Sequence, residues 1–155
     1  MSNWPTCQLA EFVEFRNGLN FSEKNDGVGL PIVKVRDFGN NHYVDCSRLQ
    51  EINPIGLKVG ENQLLKRDDI VIVRSNGNKD LVGRSMIFDG PDDSVAFAGF
   101  CIRGRVNPSK ASSQFIHYWM RSPATRERFS REGSGTGIQN VSQEPLNFHL
   151  HQLTP

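Results

Sequence analysis

The hydrophobic pattern of this chain changes character once, after Pro108, and that change limits the folds open to it. Before it, apolar residues come in short runs separated by turn-forming residues. Pro31-Ile32-Val33-Lys34-Val35-Arg36-Asp37-Phe38 alternates apolar and polar side chains from Ile32 or Val33 onward and reads as a half-buried strand, ended by Gly39-Asn40-Asn41. Asp68-Asp69 leads as a turn into Ile70-Val71-Ile72-Val73, whose β-branched side chains suit a strand. Val82 to Phe88, Ser94 to Ala98 and Phe100 to Arg105 are further strands, separated by Asp89-Gly90-Pro91-Asp92 and a glycine. Near the start, Leu9, Phe12, Val13 and Phe15 fit a short helix running into a strand before Asn17-Gly18 breaks it. Beyond Pro108 the spacing becomes helical. Ser112 or Ser113 can cap a helix with Phe115, Ile116, Trp119 and Met120 on one, core-facing side. Ala124 to Arg131 reads as a second short helix, with Arg121, Arg126, Arg128 and Arg131 as its basic surface. Ile138 to Ser142 resumes structure after a glycine-rich loop, and Leu146 to Leu150 suits one more strand. Strands first and helices later imply an α+β fold. The expectation is a single compact domain over residues 1–155: a twisted, mostly antiparallel β-sheet core, a short N-terminal helix, and helices in the C-terminal third.

Composition supports a globular domain and removes several classes. At 155 residues, with 37% hydrophobic and 23% charged side chains, the chain can bury a core without staples. No apolar run reaches the ~20 residues needed to span a bilayer. Met-Ser-Asn-Trp-Pro offers neither the basic start nor the apolar stretch of a signal peptide. Cys7, Cys46 and Cys101 are odd in number and far apart, which favours reduced, partly buried thiols and a cytoplasmic location. The net charge is only +1, but residues 74–131 hold ten Lys/Arg against five Asp/Glu, and the remainder eight against twelve. Such a split can give one face a positive potential on a nearly neutral protein.

The basic half opens with Arg74-Ser75-Asn76-Gly77-Asn78-Lys79-Asp80-Leu81-Val82-Gly83-Arg84, directly after the β-branched strand. Amides and hydroxyls can read base edges, guanidinium groups can hold guanine or phosphate, and glycine lets a backbone approach closely. The segment therefore suits a nucleic-acid-facing loop. An ordinary polar hairpin loop has the same composition.

Catalytic chemistry finds little support. No G-x-x-x-x-G-K-[ST] occurs, and Gly133-Ser134-Gly135-Thr136-Gly137 lacks the following lysine and the βαβ setting of a phosphate-cradling loop. No Asp or Glu is followed two residues later by Lys, so Pro91-Asp92-Asp93 reads as a turn rather than the start of a metal-dependent nuclease site. His149 and His151 alternate on an expected strand without Cys or His partners at zinc spacing. No G-x-S-x-G nucleophile elbow is present. No cofactor is called for. A binding module is the better class, with a protein-interaction module or a small DNA-acting enzyme as alternatives.

Taken in order, these segments resemble a target recognition domain of the specificity subunit of type I restriction-modification enzymes. Leu9 to Gly18 is similar to the family's opening helix and the "I-x-x-G" after it, and Ile32 to Phe38 continues the likeness. Asp68-Asp69-Ile70-Val71-Ile72-Val73-Arg74-Ser75 stands where the family shows "G-D-I-L" and a polar loop, with Asp68 in place of the glycine. Phe115 to Ser122 looks like the helix after the central sheet, and Gly135 to Ser142 like the late loop entering "N-I-S". The family continues with "P-P-L-x-x-Q" and a long spacer helix, where this sequence ends at Leu153-Thr154-Pro155; a truncated or half-length subunit, or a fragment, is expected.

The resemblance implies an α+β domain that reads one half of a bipartite duplex DNA site from the major groove and leaves chemistry to methyltransferase and restriction subunits. On that reading Arg74, Lys79 and Arg84 anchor phosphate or guanine, while Ser75, Asn76 and Asn78 discriminate bases. Lys34 and Arg36 extend the basic track, Ser134, Thr136, Gln139 and Asn140 form a second contact loop, and Arg103 and Arg105 are further candidates.

Overall fold

The computed structural model describes residues 6–76, 78, 80–132, 139–140 and 149–151. At its centre lies the β-branched run, strand β5 (Ile70–Val73), with all four residues buried. It runs antiparallel between β9 (Cys101–Val106) and β7 (Ser85–Ile87), and β2 (Val13–Asn17) extends the sheet beyond β9, giving the order β2-β9-β5-β7.

Successive side chains on a strand face opposite ways, so β5 serves two cores. Ile70 and Ile72 join Leu9, Val13, Phe15, Ile102, Val106, Ile116, Met120 and Phe129 on one side. Val71 and Val73 join Val33, Phe38, Met86, Phe88, Phe97 and Cys101 on the other. The first core is closed by helices α1 (Ser113–Arg121) and α2 (Pro123–Glu132). On the second lies a smaller sheet, β4-β3-β8, of Gln50–Ile52, Asp26–Val33 and Ala96–Phe97, with β3 antiparallel to β4 and parallel to β8. Its far side buries Leu19, Ile32, Ile52, Ala96 and Ala98. Two antiparallel ribbons complete the described elements: β1 (Thr6–Gln8) with β11 (His149–His151), and β6 (Ser75–Asn76) with β10 (Gln139–Asn140). The architecture is α+β.

Three expected elements differ. The N-terminal helix is a single 3-10 turn, Leu9–Glu11, in which the Phe12 amide donates to the Leu9 carbonyl at 3.0 Å before β2 begins. The strand placed at residues 32–38 instead starts at Asp26 and stops at Val33. Asp37 ends it: its carboxylate accepts the Lys34 amide at 2.7 Å, and its own amide donates to the Lys34 carbonyl at 3.0 Å, winding Val35–Asp37 into a 3-10 turn. Side-chain capping of this kind competes with strand pairing. In α1, Ser112 caps as expected by accepting the Phe115 amide, and Ile116 and Met120 are buried. Phe115, however, is exposed and His117 takes the fully buried position.

Candidate nucleic-acid interface

The loop that follows β5 is closed at its mouth by two backbone bonds, Val73 amide to Arg84 carbonyl at 2.9 Å and Gly83 amide to Val73 carbonyl at 2.8 Å. Gly83 has φ +78°, and a Cβ there would lie 2.7 Å from a ring carbon of Phe129, so both backbone and space demand glycine. Within the loop the Asn78 side-chain oxygen accepts the Asp80 amide at 3.0 Å, its carbonyl accepts the Leu81 amide at 3.1 Å, and Leu81 packs on the second core. Arg74 is anchored by its amide to the Phe100 carbonyl at 2.8 Å, and its half-buried guanidinium donates to Gly99 at 3.4 Å.

Ser75 and Asn76 then form β6, paired with β10: Ser75 lies opposite Asn140 and Asn76 opposite Gln139. Two segments some sixty residues apart in sequence, each read independently as a contact loop, are thus one antiparallel ribbon. Lys79, Ser134 and Thr136 lie outside the described residues.

The turn at residues 34–41 sits at the same end of the sheet. Val35 and Leu81 pack on one core, and Arg84 donates to the Gly39 carbonyl at 3.5 Å and to its own loop's Asp80 carbonyl at 3.0 Å. Lys34 and Arg36 therefore stand on a turn beside the loop, not on a common strand face. Lys34 reaches Gln50 at 3.0 Å and lies over the Phe21 ring. Arg36 is exposed.

One candidate is corrected, and a second is already engaged within the fold. Arg103 is completely buried, because alternation along β9 turns residues 101, 103 and 105 away from the helices and under the second layer. It donates to Glu14 at 2.8 Å and holds no surface position from which to touch DNA. Arg105 makes a two-pronged pair with the buried Asp69, both contacts at 2.8 Å, and Asp69 also accepts the Lys66 amide at 2.7 Å. Burial and the neighbouring Arg105 press the pKa of Arg103 down, while the hydrogen bonds that Arg105 donates to Asp69 raise its own. Arg103 is a fold residue, whereas Arg105, with 32% of its side chain exposed, is held by Asp69 at the surface. The sequence signal for this was their placement two apart on the Phe100–Arg105 strand, which puts both on one face.

Sequence reasoning missed what the helix arginines do. Arg121 and Arg126, read as basic surface, turn back onto the loops: Arg121 donates to the carbonyls of Asn40 and Asn41 at 3.2 and 3.1 Å, and Arg126 to those of Val82 and Asp80, both at 2.7 Å. It also missed a buried polar chain at the base of α1. His117 contacts the Ser85 hydroxyl at 2.9 Å through Nδ1 and His42 at 3.0 Å through Nε2. Burial, then Arg121 and His42, push the His117 pKa down to about 4. Ser85 is buried too, so the chain fastens the residue 40–43 loop to β7 and α1 rather than presenting a nucleophile. Among the described residues no group of three or more His, Cys, Asp or Glu is placed to hold a metal ion.

No protein-family model matches the chain. It is 32% identical over 153 residues, or 95% of its length, to the specificity subunit of the type I restriction enzyme StySPI of Salmonella potsdam. It is also 32% identical over 122 residues, or 78% of its length, to that of EcoKI of Escherichia coli K12. The chain is a relative of type I restriction specificity subunits. It spans 31% and 25% of the length of those two proteins. Solved specificity subunits share its fold. The S subunit from M. genitalium superimposes on 95% of the chain with a TM-score of 0.58 at 12% identity, and covers the chain with 33% of its own length. The HsdS subunit from Thermoanaerobacter tengcongensis superimposes on 94% with 0.60 at 15% identity, again through 32% of its length. A chain from a type I R-M system, studied for complex assembly and conformational transition, superimposes on 97% with 0.62 at 15% identity, through 34% of its length. The likeness to specificity subunits thus covers 78% to 95% of the chain and between 25% and 33% of each relative. No helix among the described residues is long and apolar enough to cross a membrane.

Proposed function

We propose that this chain is a single target recognition domain that binds one half-site of duplex DNA sequence-specifically and without catalysis. In the cytoplasm it would direct methyltransferase and restriction subunits to that site. The observation that carries the reading is the ribbon of β6 and β10. It gathers Ser75, Asn76, Gln139 and Asn140, residues whose amides and hydroxyls suit base edges, at the end of the sheet where Lys34, Arg36 and Arg74 supply positive charge. A two-stranded ribbon is one of the elements that a major groove admits. Similarity to specificity subunits over nearly the full chain supports the same reading.

The test is selection of duplexes from a random library by the purified chain, followed by titration of the enriched sequence. A defined consensus should emerge. Asn76→Ala should then lose about tenfold or more for that consensus, as expected for one lost amide–base contact of ~1–3 kcal/mol, with unfolding unchanged. Enrichment of no sequence, or cleavage or methylation of DNA by the chain alone, would sink the proposal.

A further inference from the structure

Three guanidinium groups converge where the residue 39–41 turn meets the residue 74–84 loop, and their hydrogen-bond partners there are main-chain oxygens. Arg126, from α2, spans the carbonyls of Val82 and Asp80, both at 2.7 Å. Arg84 takes the same Asp80 carbonyl at 3.0 Å and reaches Gly39 at 3.5 Å. Arg121, from α1, takes Asn40 and Asn41 at 3.2 and 3.1 Å, and Ser85 at 3.5 Å. Like charges gathered this way repel: burial, then Arg84, lower the pKa of Arg126, with Arg121 adding to the effect. A fold that needed only to tie off a loop could use neutral groups. Arginine supplies a planar fork of donors, fixing the direction of two carbonyls at once.

Two observations separate this cluster from a phosphate seat. The cleft beside it is lined by Asp80, Arg84, Arg126, Glu127 and Ser130, so two acidic residues share the space an anion would need. And Arg126 already spends both terminal nitrogens on carbonyls.

We propose that Arg126, together with Arg84 and Arg121, is a positioning residue for sequence discrimination, setting the shape of the residue 74–84 loop from the helices without touching DNA. This rests on the reading of that loop as a DNA-contacting element. The carbonyls held are at residues 80 and 82, four to six positions after Asn76, inside a hairpin whose mouth is fixed at Val73 and Gly83. Pinning these two carbonyls fixes where the chain returns to the sheet after β6. Release of the fork lets that return vary, and each base contact then has to be ordered on binding.

The experiment titrates Arg126→Ala and Arg126→Lys against the duplex selected by the unaltered chain, and against an unrelated duplex, across a salt series. Positioning predicts that both variants lose about tenfold for the selected duplex and keep affinity for the unrelated one. Both also keep the slope of log affinity against log salt, because no phosphate contact is removed. Lysine keeps the charge but cannot span two carbonyls, so its failure to rescue marks the role. If alanine weakens every duplex alike and reduces the slope by about one, with lysine restoring both, Arg126 is a phosphate contact and the proposal falls. Lowered melting temperature with unaltered discrimination makes it merely structural, which also overturns the proposal. Should neither Arg126 variant fold, Arg84→Lys, which lets go of the same Asp80 carbonyl, carries the comparison. The two readings fail separately: an unaltered chain showing no salt-sensitive binding to any duplex removes the DNA reading itself, before any variant is compared.

Discussion

Asp68 and Asp69 are neighbours with opposite conformational and electrostatic tasks. Asp68 has φ 69°, a left-handed conformation that costs most L-residues about 1 kcal/mol or more and glycine almost nothing. The related motif places glycine at this point, and aspartate, among non-glycine residues, tolerates the conformation well. Asp68→Gly should therefore leave stability within about 1 kcal/mol of the parent, while Asp68→Val, β-branched at positive φ, should lose ~1–3 kcal/mol in urea unfolding. Asp69 is buried and answers to Arg105 and the Lys66 amide. Removing it strands a part-buried guanidinium and an amide together, so Asp69→Ala should cost ~3 kcal/mol or more. Urea denaturation separates the two sites, and equal losses at both would contradict the assignment. Since Arg105 holds this carboxylate, the sequence count of basic residues overstates the charge the interface can present.

At the scale of elements, legibility followed how local each signal was. The strand at Ile70–Val73 and the helix capped by Ser112 were readable because β-branching and capping act within a few residues. Strand β3 was misplaced because Gly27 and Gly29 obscure its first half, and because Asp37 winds Lys34 and its neighbours into a turn. The pairing of β6 with β10 had no local signature, since it joins segments that composition describes only as loops. Nor did the buried histidine: His117 is not among the residues Phe115, Ile116, Trp119 and Met120 read as the core face, yet α1 turns it toward β7 and the 40–43 loop. That placement has a pH signature. His117 takes up its proton near the ordinary value of about 6.5 when unfolded but only near about 4 in the fold, facing Arg121, His42 and the Ser85 hydroxyl. Between those values the unfolded chain holds more protons, so stability is full above 6.5 and falls as pH drops toward 4. The loss should approach ~3 kcal/mol at the lower end. Comparing unfolding midpoints at pH 7 and pH 5 for the parent and His117→Gln checks this. The variant should be less stable at pH 7 and should lack this part of the acid dependence.

For the molecule as a whole, charge distribution and length bear on how tightly the proposed interface can hold DNA. Arg103, Arg105, Arg84, Arg121 and Arg126 are committed to carboxylates or carbonyls. Of the described candidates this leaves Lys34, Arg36 and Arg74 as the cations best placed to reach phosphate, with Arg74 and Lys34 only lightly held. Three phosphate contacts correspond to a slope of about −2.7 in log affinity against log salt, or a loss of roughly 40-fold between 50 and 200 mM salt. The chain also spans only 31% of the StySPI specificity subunit. On the proposed half-site reading, these 155 residues tested by themselves forgo the gain of ~10²–10⁴ that a linked second module supplies. The chain alone should therefore bind its selected duplex only weakly, at about micromolar Kd in moderate salt, and a covalent tandem presented with two correctly spaced half-sites should recover that gain. Fluorescence anisotropy over a salt series measures both quantities. A slope near −6 would mean that basic residues beyond these three meet the backbone, and nanomolar affinity for random duplex at physiological salt would contradict half-site reading altogether.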